Sequence, residues 1–201
     1  MIKKVAIIGT HGVGKTGLAY ALAAALTSRS IPVELVLETA RELSRLEPGI
    51  KINAETTLQS QARILEYQFQ REVEAEVSGH SEVIICDRSF DNYLYMERKF
   101  GSQPQYEEMI INHLKNHPYT LIIKVPIVDS EIKHDNFRDT NHEFQSDIDL
   151  RIELFLKKHA IPHLILTESV MPNREEWTYI VLNKLGYKVK FNGFDRQQKL
   201  I

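Results

Sequence analysis

The stretch Gly9-Thr10-His11-Gly12-Val13-Gly14-Lys15-Thr16 follows the pattern G-x-x-x-x-G-K-[ST], and its reading decides the fold. Upstream, Ile2 to Ile8 ends in a continuous apolar run, as a strand buried on both faces does. Downstream, Leu18 to Leu26 is rich in strong helix formers, and Leu18, Leu22, Ala25 and Leu26 recur at helical spacing. A glycine-rich loop between a strand and a helix lets the backbone approach an anion closely. Its N–H groups turn inward and the helix adds its positive end. Lys15 supplies a mobile charge for the β- and γ-phosphates, and Thr16 a hydroxyl for Mg²⁺. Residues 9–16 are therefore expected to hold ATP and Mg²⁺.

The chain has 201 residues, a formal charge of -2 and a pI near 6.5. That length fits one α/β domain with a sizeable core. The balanced charge offers no footprint for duplex nucleic acid or an anionic membrane. No run approaches membrane-spanning length, and no apolar leader precedes the glycine loop. The lone Cys86 excludes an internal disulfide framework and sits in an apolar run, where it reads as a small core residue. A soluble, cytoplasmic protein is expected.

Apolar runs alternate with helical patterns along the rest of the chain, which argues for a parallel sheet covered on both faces. Strands are expected at 31–37, 83–86, 121–125 and 163–167. A short helix opens at Glu38. Asn53 is placed to cap a long helix over about 55–77, with Leu58, Ala62, Leu65, Phe69, Val73 and Val77 as its apolar stripe. Further helices are expected from Phe90 to Phe100, on to about His117, over 144–159, and from an Asn173 cap to just before Gly186. The stretch 127–143 is polar and aperiodic and reads as a lid; 187–201 reads as a C-terminal tail, leaving 1–186 as the domain. The expected architecture is a three-layer P-loop fold with a five-stranded parallel sheet and its sites at the strand C-terminal ends.

Those ends carry charged residues. Asp87 closes an apolar strand, where a carboxylate can order Mg²⁺ or simply cap the next helix. Arg88 can neutralise charge on a moving phosphoryl group, or pair with a neighbouring acid. Glu38 can take the proton of an acceptor hydroxyl, or serve as a helix-start acid. Arg138, inside the lid stretch, can cover the phosphates or remain a solvated loop charge. Gln61 and Gln68 share one face of the long helix, where amides can read a base edge or supply ordinary half-buried polarity. A GTPase would need N-K-x-D; Asn183-Lys184-Leu185-Gly186 lacks the aspartate. A mechanochemical ATPase usually follows its metal aspartate with a glutamate; here Arg88 follows, which suits transfer to an acceptor better than hydrolysis.

The glycine loop, Glu38-Thr39-Ala40-Arg41-Glu42, Cys86-Asp87-Arg88-Ser89 and Phe137-Arg138-Asp139 together resemble the NadR-type ATP-binding domain family, which includes a ribosylnicotinamide kinase domain. The resemblance runs to about Gly186 and implies the nucleoside/nucleotide-kinase form of the P-loop fold. A second likeness is to deoxynucleoside kinases: 57–62 is similar to their base-reading helix, and Asp87-Arg88-Ser89 to their E-R-S motif. It implies Glu38 as general base, Arg88 as a phosphate-binding group, and Gln61 or Gln59 toward a substrate base. Asp87 stands where those enzymes have glutamate, and Thr39 where they have proline.

The reading is a kinase that passes the γ-phosphate of ATP to a nucleoside or nucleotide-like acceptor. Lys15, Glu38, Asp87, Arg88 and Arg138 act in transfer, Thr16 and Asp87 hold the metal, and Arg41 with Arg88 grips an acceptor that already carries phosphate. A homodimer is compatible with this reading. Two other classes fit the loop: a nucleotide-binding switch with little turnover, and a kinase for polynucleotide ends.

Overall fold

The apolar runs become five strands in the computed structural model of the protein, which describes residues 2–37, 39–127, 142–167 and 174–188. β1 (Lys3–Ile8), β2 (Val33–Val36), β3 (Val83–Asp87), β4 (Leu121–Lys124) and β5 (Leu164–Ile165) form one sheet in the order β2-β3-β1-β4-β5. Every pairing is parallel. Between them lie α1 (Lys15–Thr27), α2 (Thr39–Leu46), α3 (Leu58–Ser78), α4 (Asn92–Phe100), α5 (Pro104–Asn116), α6 (His142–Lys158) and α7 (Arg174–Lys184).

Alternation along the strands sorts the helices into two layers. Val5, Ile7, Val83, Ile85 and Ile123 point toward α1 and α7, where Leu18, Leu22, Trp177 and Val181 complete the packing. Ala6, Ile8 and Ile122 point the other way, toward Leu65, Phe90, Ile148 and Phe155 of the opposite layer. Burial on both faces explains why these strands read as unbroken apolar runs. The expected α/β, three-layer architecture is the one found.

Some boundaries differ. Strand five spans only Leu164–Ile165, and Ile165 is 55% exposed, because this strand lies at the sheet edge and pairs on one side only. The long helix starts later than expected. Asn53 sits in a short 3₁₀ turn with φ +58, and Thr57 is the cap, its side chain accepting from the Ser60 amide. The expected stripe also fails at its C-terminal end. Val77 is 80% exposed, while Gln68 and Glu72 are fully buried. The buried face of α3 is thus turned toward the Gln68 side, where Gln68 and Glu72 find polar partners and Ala75 packs on Val36, Ile84 and Cys86. Cys86 is buried as expected, and burial pushes its thiol pKa well up. The expected lid core (128–141), the Asn173 cap and most of the tail (189–201) lie outside the described residues.

Candidate functional site

The glycine loop leaves the end of β1 and passes against the end of β4. Gly9 adopts φ +147, and a Cβ there would stand 2.8 Å from the Val125 carbonyl oxygen, so only glycine fits. Gly14, left-handed at φ +92, is the N-cap of α1, whose first turn carries no acidic side chain. The helix therefore presents its N–H groups and positive end to an anion unopposed. Lys15 is buried at 5% exposure, and its Nζ donates to the Gly9 and Thr10 carbonyls at 2.8 and 2.5 Å.

Parallel register brings the metal candidates together. Ile7 pairs with Asp87, so the end of β3 lies beside the root of the loop. The Thr16 hydroxyl donates to Asp87 Oδ2 at 2.5 Å. Asp87 is 2% exposed, and its second oxygen, Oδ1, is buried with no hydrogen-bond partner among the described residues. A buried carboxylate oxygen left without a donor is costly unless something else satisfies it. A hydroxyl and a carboxylate side by side are hard oxygen donors of the kind Mg²⁺ takes alongside phosphate oxygens. Among the described residues no group of three or more His, Cys, Asp or Glu is arranged to hold a metal ion.

Arg88 follows Asp87 in the left-handed region at φ +82, uncommon for a side chain of its size. Its amide donates to Ile7 O at 3.1 Å. The guanidinium lies 3.3 Å from Asp91 Oδ2 and 5.1 Å from the centre of the Tyr95 ring. Burial opposes its charge, but Tyr95, Asp91 and Asp87 outweigh that and raise its pKa, so Arg88 remains a cation.

The remaining expected residues lie on other elements or outside the described residues. Arg41 sits on α2 and lines an open pocket of about 300 Å³ with Leu37, Glu42, Arg45 and Leu46. Gln61 is half-buried on α3 and donates to Thr56 Oγ1 at 2.8 Å. Gln59 is exposed. Glu38 and Arg138 lie outside the described residues. Gln68 is committed within the protein: its amide donates to Glu72 and to the Arg88 carbonyl and accepts from Thr39.

One contact to the loop escaped the sequence reading. Gln145, 2% exposed on the first turns of α6, donates to His11 O at 2.7 Å, and its Nε2 lies 3.0 Å from where a Gly12 Cβ would be. The His11 ring packs beside Phe144 at 5.2 Å and Tyr95 at 6.3 Å. No short motif connects residues 134 positions apart, so nothing local in the sequence announces this brace.

A model of the AAA domain family matches residues 4–174. The chain belongs to the AAA domain family. No curated protein sequence matches it. This AAA domain superposes on the NadR protein in complex with NR with TM-score 0.75 and 19% identity, covering 96% of this chain and 54% of that one. For NadR in complex with NAD and AMP-PNP the values are 0.68, 19%, 96% and 52%. A deoxyadenosine kinase from M. mycoides, with dCMP and dCDP bound, gives 0.62, 18%, 92% and 100%. The chain spans about half the length of the NadR chains it matches. The fold is the NadR-like P-loop kinase fold, as the motifs imply. No described helix is long and apolar enough to cross a membrane.

Proposed function

We propose that this AAA domain is an ATP- and Mg²⁺-dependent kinase that transfers the γ-phosphate to a nucleoside or nucleotide-like acceptor. The observation that carries the reading is the Thr16–Asp87 contact, with the orphaned Asp87 Oδ1, directly under a phosphate-binding loop. Loop amides and the start of α1 bind the polyphosphate, and Lys15 transfers its ammonium from loop carbonyls to phosphate oxygens. Thr16 and Asp87 would hold Mg²⁺, which screens charge on the β- and γ-phosphates when bound. Arg88, kept cationic beside Tyr95, stabilises charge on the transferring group. Glu38 accepts the proton of an acceptor hydroxyl. Arg41 contributes if the acceptor carries phosphate, and Arg138 covers the phosphates from the 127–143 stretch. Residues 1–186 act as one domain. The lone buried thiol suits a reducing, cytoplasmic setting.

The neighbours support this reading through their own ligands: NadR was solved with NR and with AMP-PNP, and deoxyadenosine kinase with nucleotide products. Arg88, rather than a glutamate, follows the strand-end aspartate, which favours an acceptor over water. The test is a screen of nucleosides and nucleoside monophosphates with labelled ATP. Transfer to at least one compound is expected, with loss of transfer in Lys15→Ala while the fold is retained. A protein that binds ATP and labels no acceptor is a nucleotide-dependent switch, and full activity in Lys15→Ala removes the central claim.

A further inference from the structure

Arg88 stands in a conformation that a bulky residue adopts at a cost of about 1–3 kcal/mol, so its surroundings must hold it there. The described residues show what does. Behind the Arg88–Ser89 turn lies a polar cluster, closed off from solvent and centred on Glu72, which is fully buried on α3. One arm runs through Gln68, also fully buried. Its two N–H groups reach Glu72 Oε1 at 2.9 Å and the Arg88 carbonyl at 3.2 Å. Its oxygen accepts from the Thr39 hydroxyl at 2.7 Å. The other arm runs through Tyr119, whose hydroxyl donates to Glu72 Oε2 at 2.5 Å and bonds Ser89 Oγ. Two further groups face Glu72 Oε2: His113 Nε2 at 3.1 Å and Lys4 Nζ at 3.4 Å, the latter shared with Glu76 at 2.6 Å.

The geometry points to Gln68 as a positioning residue for Arg88, acting with Glu72 and Tyr119 as a clamp that sets where the guanidinium projects. The inference rests on the kinase reading for its consequence in catalysis. Gln68 touches neither phosphate nor acceptor in this role; it acts through the Arg88 backbone. Its capacity as a base reader is used up, because both donors and its acceptor oxygen are engaged inside the protein. The same amide ties Thr39, the first residue of α2, to the tip of β3. The clamp thus fixes the exits of two neighbouring strands relative to each other. Networks of this kind tolerate little, since each lost partner leaves a buried group unsatisfied. A wrong setting of a charged group by about 1 Å costs on the order of 100-fold in rate.

The experiment is a double-mutant cycle between Gln68→Leu and Arg88→Ala, read as kcat on the acceptor found by the screen. Alone, Gln68→Leu should lower kcat by about 10- to 100-fold with the KM for ATP within about twofold, because the loop and Lys15 are untouched. In the Arg88→Ala background the same change should cost almost nothing, since no guanidinium remains to be aimed. Equal losses in both backgrounds would show a general structural role and overturn the inference. If Gln68→Leu does not fold, Tyr119→Phe removes one hydroxyl only and runs through the same cycle with the same criterion. Hydrogen exchange of the backbone amides from Arg88 to Asn92 gives a reading independent of turnover. Faster exchange in Gln68→Leu supports the clamp, and unchanged exchange refutes it even if no acceptor is ever labelled. Inactive wild-type protein would sink the kinase reading; additive losses in an active protein sink only the clamp.

Discussion

Replacing Asp87 with asparagine separates a metal-holding role from a structural one by the sign of the stability change. The side chain keeps its shape and can still accept from Thr16. A hydrogen bond to a charged acceptor contributes about 1.5–3 kcal/mol and a neutral one about 0.5–1.5, so that exchange loses about 1 kcal/mol. Against it stands Oδ1, buried and without a partner. Holding a charged oxygen there without a hydrogen bond costs several kcal/mol, offset in part by the Arg88 guanidinium, and an unpaired amide N–H costs about 1–3, so neutralising the group recovers about 1–3 kcal/mol. Ligand-free Asp87→Asn should therefore be as stable as the wild type, or more stable by up to about 2 kcal/mol. Turnover should fall about 10²–10³-fold, equivalent to about 3–4 kcal/mol of transition-state stabilisation. Urea unfolding can be followed by the single tryptophan, Trp177, which is fully buried between α7 and the sheet. Phosphate transfer is measured on the same preparation. A variant destabilised by more than about 2 kcal/mol with near-normal turnover would show that Asp87 serves the fold and not the phosphates.

Gly9→Ala should lose at least about 2 kcal/mol of stability in the same urea assay, from a φ of +147 and a Cβ 2.8 Å from Val125 O. Gln145→Leu should weaken nucleotide binding about 3- to 10-fold, the worth of one buried hydrogen bond to His11 O, as read by calorimetric titration with an ATP analogue. Burial pushes Glu76 up, but hydrogen bonds from Lys4 and His117 outweigh it and hold its pKa below the ordinary 4.5. The unfolded chain then binds more protons below about pH 4.5, so the stabilisation by Glu76 is complete above that pH and is lost as the pH falls through the lower, folded value. Glu76→Gln should lower stability at neutral pH and flatten the acid limb of a stability–pH curve; an unchanged limb would refute the assignment.

Much of this was legible because parallel strands are covered on both faces and therefore appear as plain apolar runs. The glycine loop, Asp87 and Arg88 follow directly at strand ends, where short motifs suffice. What escaped depends on partners distant in sequence. Nothing in the pattern around Gln68 and Glu72 says that they are buried, since their burial is licensed by Lys4, Thr39 and Tyr119 on other elements. Val77 looked like core because it continues a helical stripe, but the buried face of α3 runs through Gln68, Glu72 and Ala75 and leaves Val77 facing water. Thr57 displaced Asn53 as cap because the chain spends a 3₁₀ turn before α3 begins.

The close passage of Gly9 beside Val125 and the bond from Gln145 to His11 brace the glycine loop from two different elements. One support is backbone packing that only glycine permits, and the other is a single amide side chain. A substitution at either place therefore loosens one brace and leaves the other standing, so the loop can be softened in steps and not only abolished.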